Sequence, residues 1–188
     1  MPLPKGIGPK LRATLRWVPW ILAYCGARVT EITQLRARHV RKVDGYWRML
    51  ITFVDGTQKT LTEREVPIHE HLIAMGFLDF VDRHRPDEAL FHSRPEGRER
   101  SSAPGATAAG RLAAWVRGLG IDDDRVAPNH GWRHRFKTEG RACGMDSNNL
   151  DAIQGHLNTS QGFKYGDFPP RVTGPEIAKL PRISLDEK

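Results

Sequence analysis

Apolar residues near the start of the chain recur at helical spacing. The recurring positions are Leu11, Leu15, Val18, Ile21 and Leu22. Residues three or four apart share one face of a helix, so this pattern predicts an amphipathic helix over residues 11–24. Gly26 follows the last turn, where glycine is a typical C-terminal cap. A shorter helix is predicted over residues 31–35, with Ile32 and Leu35 directed inward.

Between residues 39 and 68 the hydrophobic period shifts towards two, which is typical of strands. The alternating apolar positions are Trp47, Met49, Ile51 and Phe53. The dipeptides Asp44-Gly45 and Asp55-Gly56 favour tight hairpin turns, because aspartate and glycine tolerate a positive φ. The segment closes with Glu65-Val66-Pro67-Ile68 and predicts a small antiparallel sheet of about three strands.

The rest of the chain returns to helical spacing. Helices are predicted over residues 72–84, 106–119, 132–143 and 150–156, with one further helical turn over 175–180. A short extended stretch is predicted at 89–91, and residues 93–104 have the Ser, Pro and Gly content of a surface loop. Helices, then a small sheet, then more helices predict a mostly helical α+β fold.

The charge of the chain favours a polyanionic partner. Lys and Arg number 29 against 22 Asp and Glu, which gives a net charge of +7. No apolar run approaches the roughly 20 residues of a membrane span, and the first residues lack a signal peptide's apolar stretch. Cys25 and Cys143 form neither a disulfide framework nor a metal-ligand pattern. These features predict a cytoplasmic protein that does not enter a membrane. A charge surplus of this size also occurs in proteins that never bind DNA, so the kind of partner depends on the motifs.

The last third of the chain contains residues suited to attack on a phosphodiester. His130-Gly-Trp-Arg133-His134 is followed by Gly155-His156 and then by Tyr165. A phenol oxygen can be the nucleophile, a guanidinium can clamp two non-bridging oxygens, and imidazoles move protons near neutral pH. This combination predicts a phosphoryl-transfer site.

Two upstream segments add positive groups to this candidate site. Arg28 supplies a second guanidinium, and Glu31, one helical turn later, can support it with a carboxylate. Lys59 supplies an ammonium group on a predicted hairpin turn. Lys42 and Arg64 bracket the same hairpin and compete with Lys59 for its role.

Four sequence boxes resemble the catalytic domain of tyrosine recombinases, the phage integrase family. They are Gly26-Ala-Arg28-Val-Thr-Glu31-Ile32, Lys59 ahead of Arg64-Glu-Val66-Pro67, His130-Gly-Trp-Arg133-His134, and Gly155-His156 with Tyr165 nine positions later. Each box alone would occur by chance, but their order and spacing over residues 10–168 are those of the family. The resemblance implies the fold of DNA breaking-rejoining enzymes, a helical core with a small sheet.

The resemblance also implies a reaction. Arg28 and Arg133 would bind the scissile phosphate, and Tyr165 would attack it to form a 3′-phosphotyrosyl link. Two arginines can neutralise the charge that develops on the phosphate oxygens, and the link conserves the bond energy. No metal, ATP or other cofactor is therefore expected.

The remaining candidate residues would move protons or support their neighbours. By resemblance, His130 would be the base that activates the phenol, and Lys59 the acid that protonates the leaving 5′-oxygen. His156 would hydrogen-bond the phosphate or the leaving group. Glu31 and His134 would hold the catalytic side chains in place.

Several other interpretations remain open at this point. A zinc pair at His130 and His134 is conceivable, but no third ligand has suitable spacing. A type IB topoisomerase or a resolvase would share the phosphotyrosine step, and a non-catalytic module would bind DNA without cutting it. The complete set of catalytic residue types favours an enzyme. Our main interpretation is a site-specific recombinase or integrase of a mobile element that acts on double-stranded DNA.

The catalytic domain is predicted over residues 1–168 and a charged tail over 169–188. Ile177, Leu180 and Ile183 are apolar positions in this tail, so we expect it to dock into a groove, either on its own domain or on a partner protomer. Family members usually carry a separate N-terminal DNA-clamping domain, and we expect the chain to lack it. The resemblance further implies a tetramer on DNA. Without DNA we expect a mainly monomeric protein, because so short a tail buries too little surface to hold a dimer.

Overall fold

The helices and strands follow one another largely in the predicted order. A computed structural model describes residues 3–52, 63–93, 103–121, 123–156 and 167–184. The helices are α1 (Pro9–Cys25), α2 (Val29–Thr33), α3 (Glu70–Ala74), α4 (Phe77–Asp82), α5 (Ala103–Gly118), α6 (Gly131–Ala142), α7 (Ser147–Gln154) and α8 (Pro170–Ile177). The strands are β1 (Val40–Val43), β2 (Tyr46–Ile51) and β3 (Arg64–Pro67). The predicted α+β class, mostly helical with a small antiparallel sheet, is confirmed.

Helix α1 lies at the centre of the fold. Val18, Ile21 and Leu22 are fully buried, and the helix packs against α2, α5 and α6. It ends at Gly26, which has a left-handed φ of 59° and donates its N–H to the carbonyl of Leu22 at 2.8 Å. The predicted glycine cap is confirmed. It turns the chain sharply into Arg28 and α2.

The three strands form one sheet in the order β1-β2-β3, with both pairs antiparallel. The β1–β2 turn has positive φ at Asp44 (50°) and Gly45 (82°), as a tight hairpin requires. Met49 lies opposite Val66, and both are buried. The predicted alternation therefore holds up to residue 52, whereas Phe53 and the Asp55-Gly56 turn lie outside the described residues.

The single helix predicted over residues 72–84 is wrong. Two short helices, α3 and α4, meet there at Gly76, which has a φ of 87° that no helix can accommodate. Apolar spacing continues across the break because both helices face the same core, so the hydrophobic pattern alone did not show it. Among the described residues, no helix is long and apolar enough to cross a membrane.

The helical turn predicted over residues 175–180 starts earlier and is longer. Helix α8 begins at Pro170, since a proline in the first turn needs no N–H partner and has a suitable φ. It packs on β2, β3 and α7. A Cβ on Gly174 would lie only 2.4 Å from the ring of Tyr46. The close approach of α8 to the sheet therefore requires glycine at position 174.

The apolar residues of the tail dock on the chain's own domain. Ile177 and Leu180 are buried in the main core, and Ile183 packs against it partly exposed. The phenol of Tyr24 accepts the N–H of Ile183 at 2.9 Å, and His69 Nε2 lies 2.9 Å from the carbonyl of Leu180. Of the two docking surfaces that the sequence left open, the structure shows the one on its own domain.

Tyr24→Phe should loosen this attachment. The hydroxyl of Tyr24 also lies 2.6 Å from His71 Nδ1, so its loss removes the described partner of two partly buried polar groups. We expect the free energy of unfolding to fall by about 1–3 kcal/mol, as measured by urea denaturation. Tyr46→Phe is the matched control, because the hydroxyl of Tyr46 makes no hydrogen bond within the described residues, and its change should stay within about 0.5 kcal/mol. Equal losses in the two variants would contradict this role for the phenol.

Candidate active site

The first predicted site residues lie at the junction of α1 and α2. Arg28 precedes the first turn of α2, and its backbone N–H donates to Glu31 Oε2 at 2.9 Å. Its guanidinium Nη1 donates to Glu31 Oε1 at 3.1 Å. The Arg28 side chain is 43% exposed. Glu31 thus contacts Arg28 from inside the protein and leaves part of the guanidinium open to solvent.

Glu31 lies between two guanidinium groups. Its side chain is almost fully buried, and Arg64 Nη2, on a side chain that is itself mostly buried, lies 2.5 Å from Oε2. Burial raises the pKa of this carboxyl, but the charge and hydrogen bond of Arg64, with further contributions from Arg28, outweigh it. The pKa of Glu31 is therefore lowered overall, and the carboxylate is ionised at neutral pH.

Arg64 begins strand β3 and connects Glu31 to the C-terminal end of α7. Its Nε donates to the carbonyl of Ile153 at 3.2 Å, and Nη2 donates to that of Gln154 at 3.4 Å. Glycine is favoured at position 155, because its φ of 69° is left-handed and a Cβ would lie 2.4 Å from the guanidinium carbon of Arg64. The sequence indicates Arg64 only as a competitor of Lys59, whereas its side chain contacts Glu31 and the end of α7.

Arg133 is anchored by two backbone carbonyls from different elements. Its Nη1 donates to Gly26 O at 2.6 Å and to Gln154 O at 2.9 Å, and Gln154 Nε2 donates to the carbonyl of Arg133 at 2.8 Å. A Cβ on Gly26 would lie 2.6 Å from the Phe136 ring, so this glycine lets α6 approach α1. Burial, followed by the charge of Arg28, lowers the pKa of Arg133. The guanidinium nevertheless stays charged, because an arginine titrates far above neutral pH.

His130 lies directly before α6, at the exposed edge of this cluster. Partial shielding of its ring from water, followed by the positive charges of His134, Arg133 and Arg28, lowers the pKa of His130. The ring is therefore neutral at pH 7 and can accept a proton. His134 is also exposed and contacts it edge-on, with ring centroids 5.1 Å apart.

The other predicted site residues are less fully described. His156 follows Gly155 at the end of α7, with a 58% exposed side chain whose Nδ1 lies 3.8 Å from Asp151 Oδ1. Lys59 and Tyr165 lie outside the described residues. Within the described part of the chain, no group of three or more His, Cys, Asp or Glu residues could hold a metal ion.

The described part of the site is suited to binding an anion. The guanidinium groups of Arg28 and Arg64 contact the Glu31 carboxylate and that of Arg133 lies near it, so positive charge is in excess. Two helix-end glycines, Gly26 and Gly155, permit the close backbone approaches that hold two of these groups. Arg28 and Arg133 thus arrive from separate elements with fixed orientations, as a clamp on phosphate oxygens requires.

Comparisons with known proteins agree with this fold. The integrase from mycobacterium phage Brujita is 17% identical, with a TM-score of 0.62, over 95% of this chain and 55% of that chain. The XerH site-specific recombinase, solved bound to difH substrate, is 21% identical, with a TM-score of 0.52, over 85% of this chain and 45% of that chain. This chain thus spans about half the length of these structures. The curated proteins gave no match.

The sequence also matches the pattern shared by the members of the phage integrase family. The match runs over residues 9–167 and includes all four boxes, from Gly26 to Tyr165. The chain belongs to the phage integrase family.

Proposed function

We propose that this chain is the catalytic part of a site-specific DNA recombinase. It cuts and rejoins DNA strands through a 3′-phosphotyrosyl intermediate on Tyr165, without metal or ATP. The observation that carries the proposal is the pair formed by Arg28 and Arg133. Each is oriented by protein groups behind it, Glu31 for the former and the carbonyls of Gly26 and Gln154 for the latter.

The two arginines bind the scissile phosphate. Within the described residues, Arg28 donates one guanidinium N–H to Glu31, and Arg133 donates to carbonyls only through Nη1. Within the described part of the chain, their other guanidinium N–H groups donate to no protein acceptor, and in the proposed complex they bind the non-bridging oxygens. Charge on these oxygens increases in the transition state, so donors held in place beforehand stabilise it more than the ground state.

The proton transfers follow from the charge states of the remaining groups. The Tyr165 oxygen bonds to phosphorus as its proton passes to His130, whose lowered pKa makes the neutral imidazole available. The bond from phosphorus to the 5′-oxygen breaks, and Lys59 supplies the proton that this oxygen takes up. His156 forms a hydrogen bond with the phosphate or with the leaving group. Rejoining runs the same steps in reverse with another 5′-hydroxyl.

The partner is double-stranded DNA, and the protein acts as a tetramer on it and is mainly a monomer without it. The net charge of +7 and the DNA-bound state of the XerH structure support a DNA partner. Such a protein works in the cytoplasm, on the nucleoid of a bacterial host.

A nicked duplex tests the proposed function. A nick just 3′ of the scissile phosphate lets the short 5′-hydroxyl fragment diffuse away, so the covalent intermediate accumulates. We expect a protein–DNA band that withstands denaturing gel electrophoresis and disappears after protease treatment. DNA binding with no such band for any integrase-type site would contradict the proposal.

Lys59→Ala should be repaired by a better leaving group. A 5′-bridging phosphorothiolate expels a thiolate, which is much less basic than an alkoxide and needs no acid. We expect the variant to cleave this substrate within about threefold of the parent rate, although it loses about 10²–10⁴-fold on the normal substrate, the usual contribution of a general acid. The comparison variant is His130→Ala, which should remain slow on both substrates because the phenol still needs a base. Equal rescue of both variants would contradict the assignment of acid and base.

A further inference from the structure

Arg64 lies behind the proposed phosphate clamp and contacts the groups that support its two arginines. It reaches both oxygens of Glu31, with Nη1 3.3 Å from Oε1 and Nη2 2.5 Å from Oε2. It also donates to the carbonyls of Ile153 and Gln154, and the second of these carbonyls accepts from Arg133. One side chain therefore connects the support of Arg28, the anchor of Arg133 and the helix end that precedes His156.

The hydrogen bonds of Arg64 distinguish it from the arginines that face the phosphate. Its Nε, Nη1 and Nη2 all donate to protein acceptors, and its side chain is only 13% exposed. Arg28 is 43% exposed and uses one guanidinium nitrogen on Glu31. Arg64 would have to give up these bonds to reach a ligand, so it acts through its neighbours.

Glu31 needs Arg64 more than it needs Arg28. Burial opposes the charge on this carboxylate, and Arg64 is the largest influence that favours it. Without Arg64, Glu31 would be a buried carboxylate with one half-exposed partner, and it would tend to take up a proton or turn outward. Either change would remove the fixed acceptor that orients Arg28.

We propose that Arg64 is a positioning residue for the reaction: through Glu31 and the α7 carbonyls it holds Arg28 and Arg133 in the geometry that clamps the scissile phosphate. The proposal rests on the proposed function. A lysine cannot replace Arg64, because one ammonium group cannot reach two carboxylate oxygens and two carbonyls in the same fork geometry.

Arg48 provides a matched control for this proposal. It lies on the neighbouring strand β2, its side chain is 9% exposed, and it forms an ion pair with Glu65 at 2.9 Å. It also donates to the carbonyl of His39 at 3.2 Å. Arg48→Gln and Arg64→Gln therefore each remove a buried, paired arginine from the sheet. Of these two arginines, only Arg64 contacts groups of the candidate site.

The first experiment measures adduct formation on a saturating nicked duplex. Arg64→Gln should lower the rate constant by about 10- to 100-fold, as loss of groups that orient a functional ligand typically does, and should change the DNA Kd by less than about threefold. Arg64→Lys should lose nearly as much and carries the test if the glutamine variant does not fold. Arg48→Gln should stay within about threefold of the parent. A rate for Arg64→Lys equal to that of the parent would overturn the proposal.

A neutral substrate separates positioning from a general structural defect. A methylphosphonate at the scissile position removes the charge that the arginine clamp neutralises. The penalty of the Arg64 variants should therefore shrink to about threefold there, because the clamp contributes less to that transition state. An equal penalty on both substrates would mean that Arg64 only maintains the fold, and the proposal would be wrong.

A DNA-free measurement keeps this proposal separate from the proposed function. In protein labelled with ¹³C at glutamate carboxyls, Glu31 should titrate below the usual glutamate range. Arg64→Lys or Arg64→Gln should raise its midpoint by about one pH unit or more, while Arg48→Gln should not. If the parent forms no adduct, the proposed function fails, and this titration still decides whether Arg64 holds Glu31. An unchanged midpoint would overturn that role.

Discussion

The Tyr165→Phe variant is expected to bind duplex DNA as tightly as the parent chain and to form no covalent adduct with it. The substitution removes one oxygen, which is the nucleophile of the proposed reaction. Removal of a serine nucleophile costs a protease about 10⁶-fold in rate, and a loss of that size would bring the adduct below detection on a gel. Binding should persist, because it depends mainly on basic side chains that contact phosphates.

Tyr46→Phe is the control for this experiment. Tyr46 lies on β2 against Gly174 of α8, so its loss of a hydroxyl tests the chemistry of a tyrosine elsewhere in the same fold. Both variants should give the parent circular dichroism spectrum, and the control should form adduct at the parent rate. An adduct formed by Tyr165→Phe would show that another residue is the nucleophile.

Local features of the sequence predicted much of the fold. The Gly26 cap and the Asp44-Gly45 turn depend on the φ values of one or two residues, and both are found as predicted. The errors have local causes as well. Gly76 interrupts a continuous apolar pattern, and helix α8 begins at Pro170, before the helical turn predicted over residues 175–180. Proline is favourable in the first turn of a helix but stops a helix that reaches it from the N-terminal side.

The role of Arg64 could not be predicted in this way. Its partners lie 33 residues away at Glu31 and 89 and 90 residues away at Ile153 and Gln154. No hydrophobic period and no sequence box encodes a contact between a strand and two helix ends. One signal was present in the sequence: Glu31 adjoins the inward-facing Ile32, and a carboxylate on a buried face needs a positive partner.

Arg28→Ala and Arg133→Ala should damage the reaction equally but the fold unequally. Each removes donors aimed at the phosphate, and loss of one preorganised donor costs about 3 kcal/mol of transition-state stabilisation, or about 10²–10³-fold in rate. Arg28 is half exposed, so its pair with Glu31 should contribute only about 0–1 kcal/mol to stability.

Arg133 differs because it is 8% exposed and its Nη1 holds the carbonyls of Gly26 and Gln154. Its loss leaves those carbonyls without this donor, which costs about 1–3 kcal/mol. One effect acts in the opposite direction: the nearby charge of Arg28 lowers the pKa of Arg133, so removing Arg133 relieves some repulsion. We expect the hydrogen-bond loss to dominate, since this repulsion is partly balanced by Glu31.

The measurements are single-turnover adduct formation and urea denaturation of the same samples. Arg28→Ala should keep the parent's free energy of unfolding within about 1 kcal/mol, and Arg133→Ala should lose more than that. Arg28→Lys and Arg133→Lys should recover little rate, because an ammonium group lacks the planar fork that meets two phosphate oxygens. Full recovery with lysine would show that charge alone suffices. A loss of stability in Arg28→Ala as large as that in Arg133→Ala would contradict the different anchoring of the two arginines.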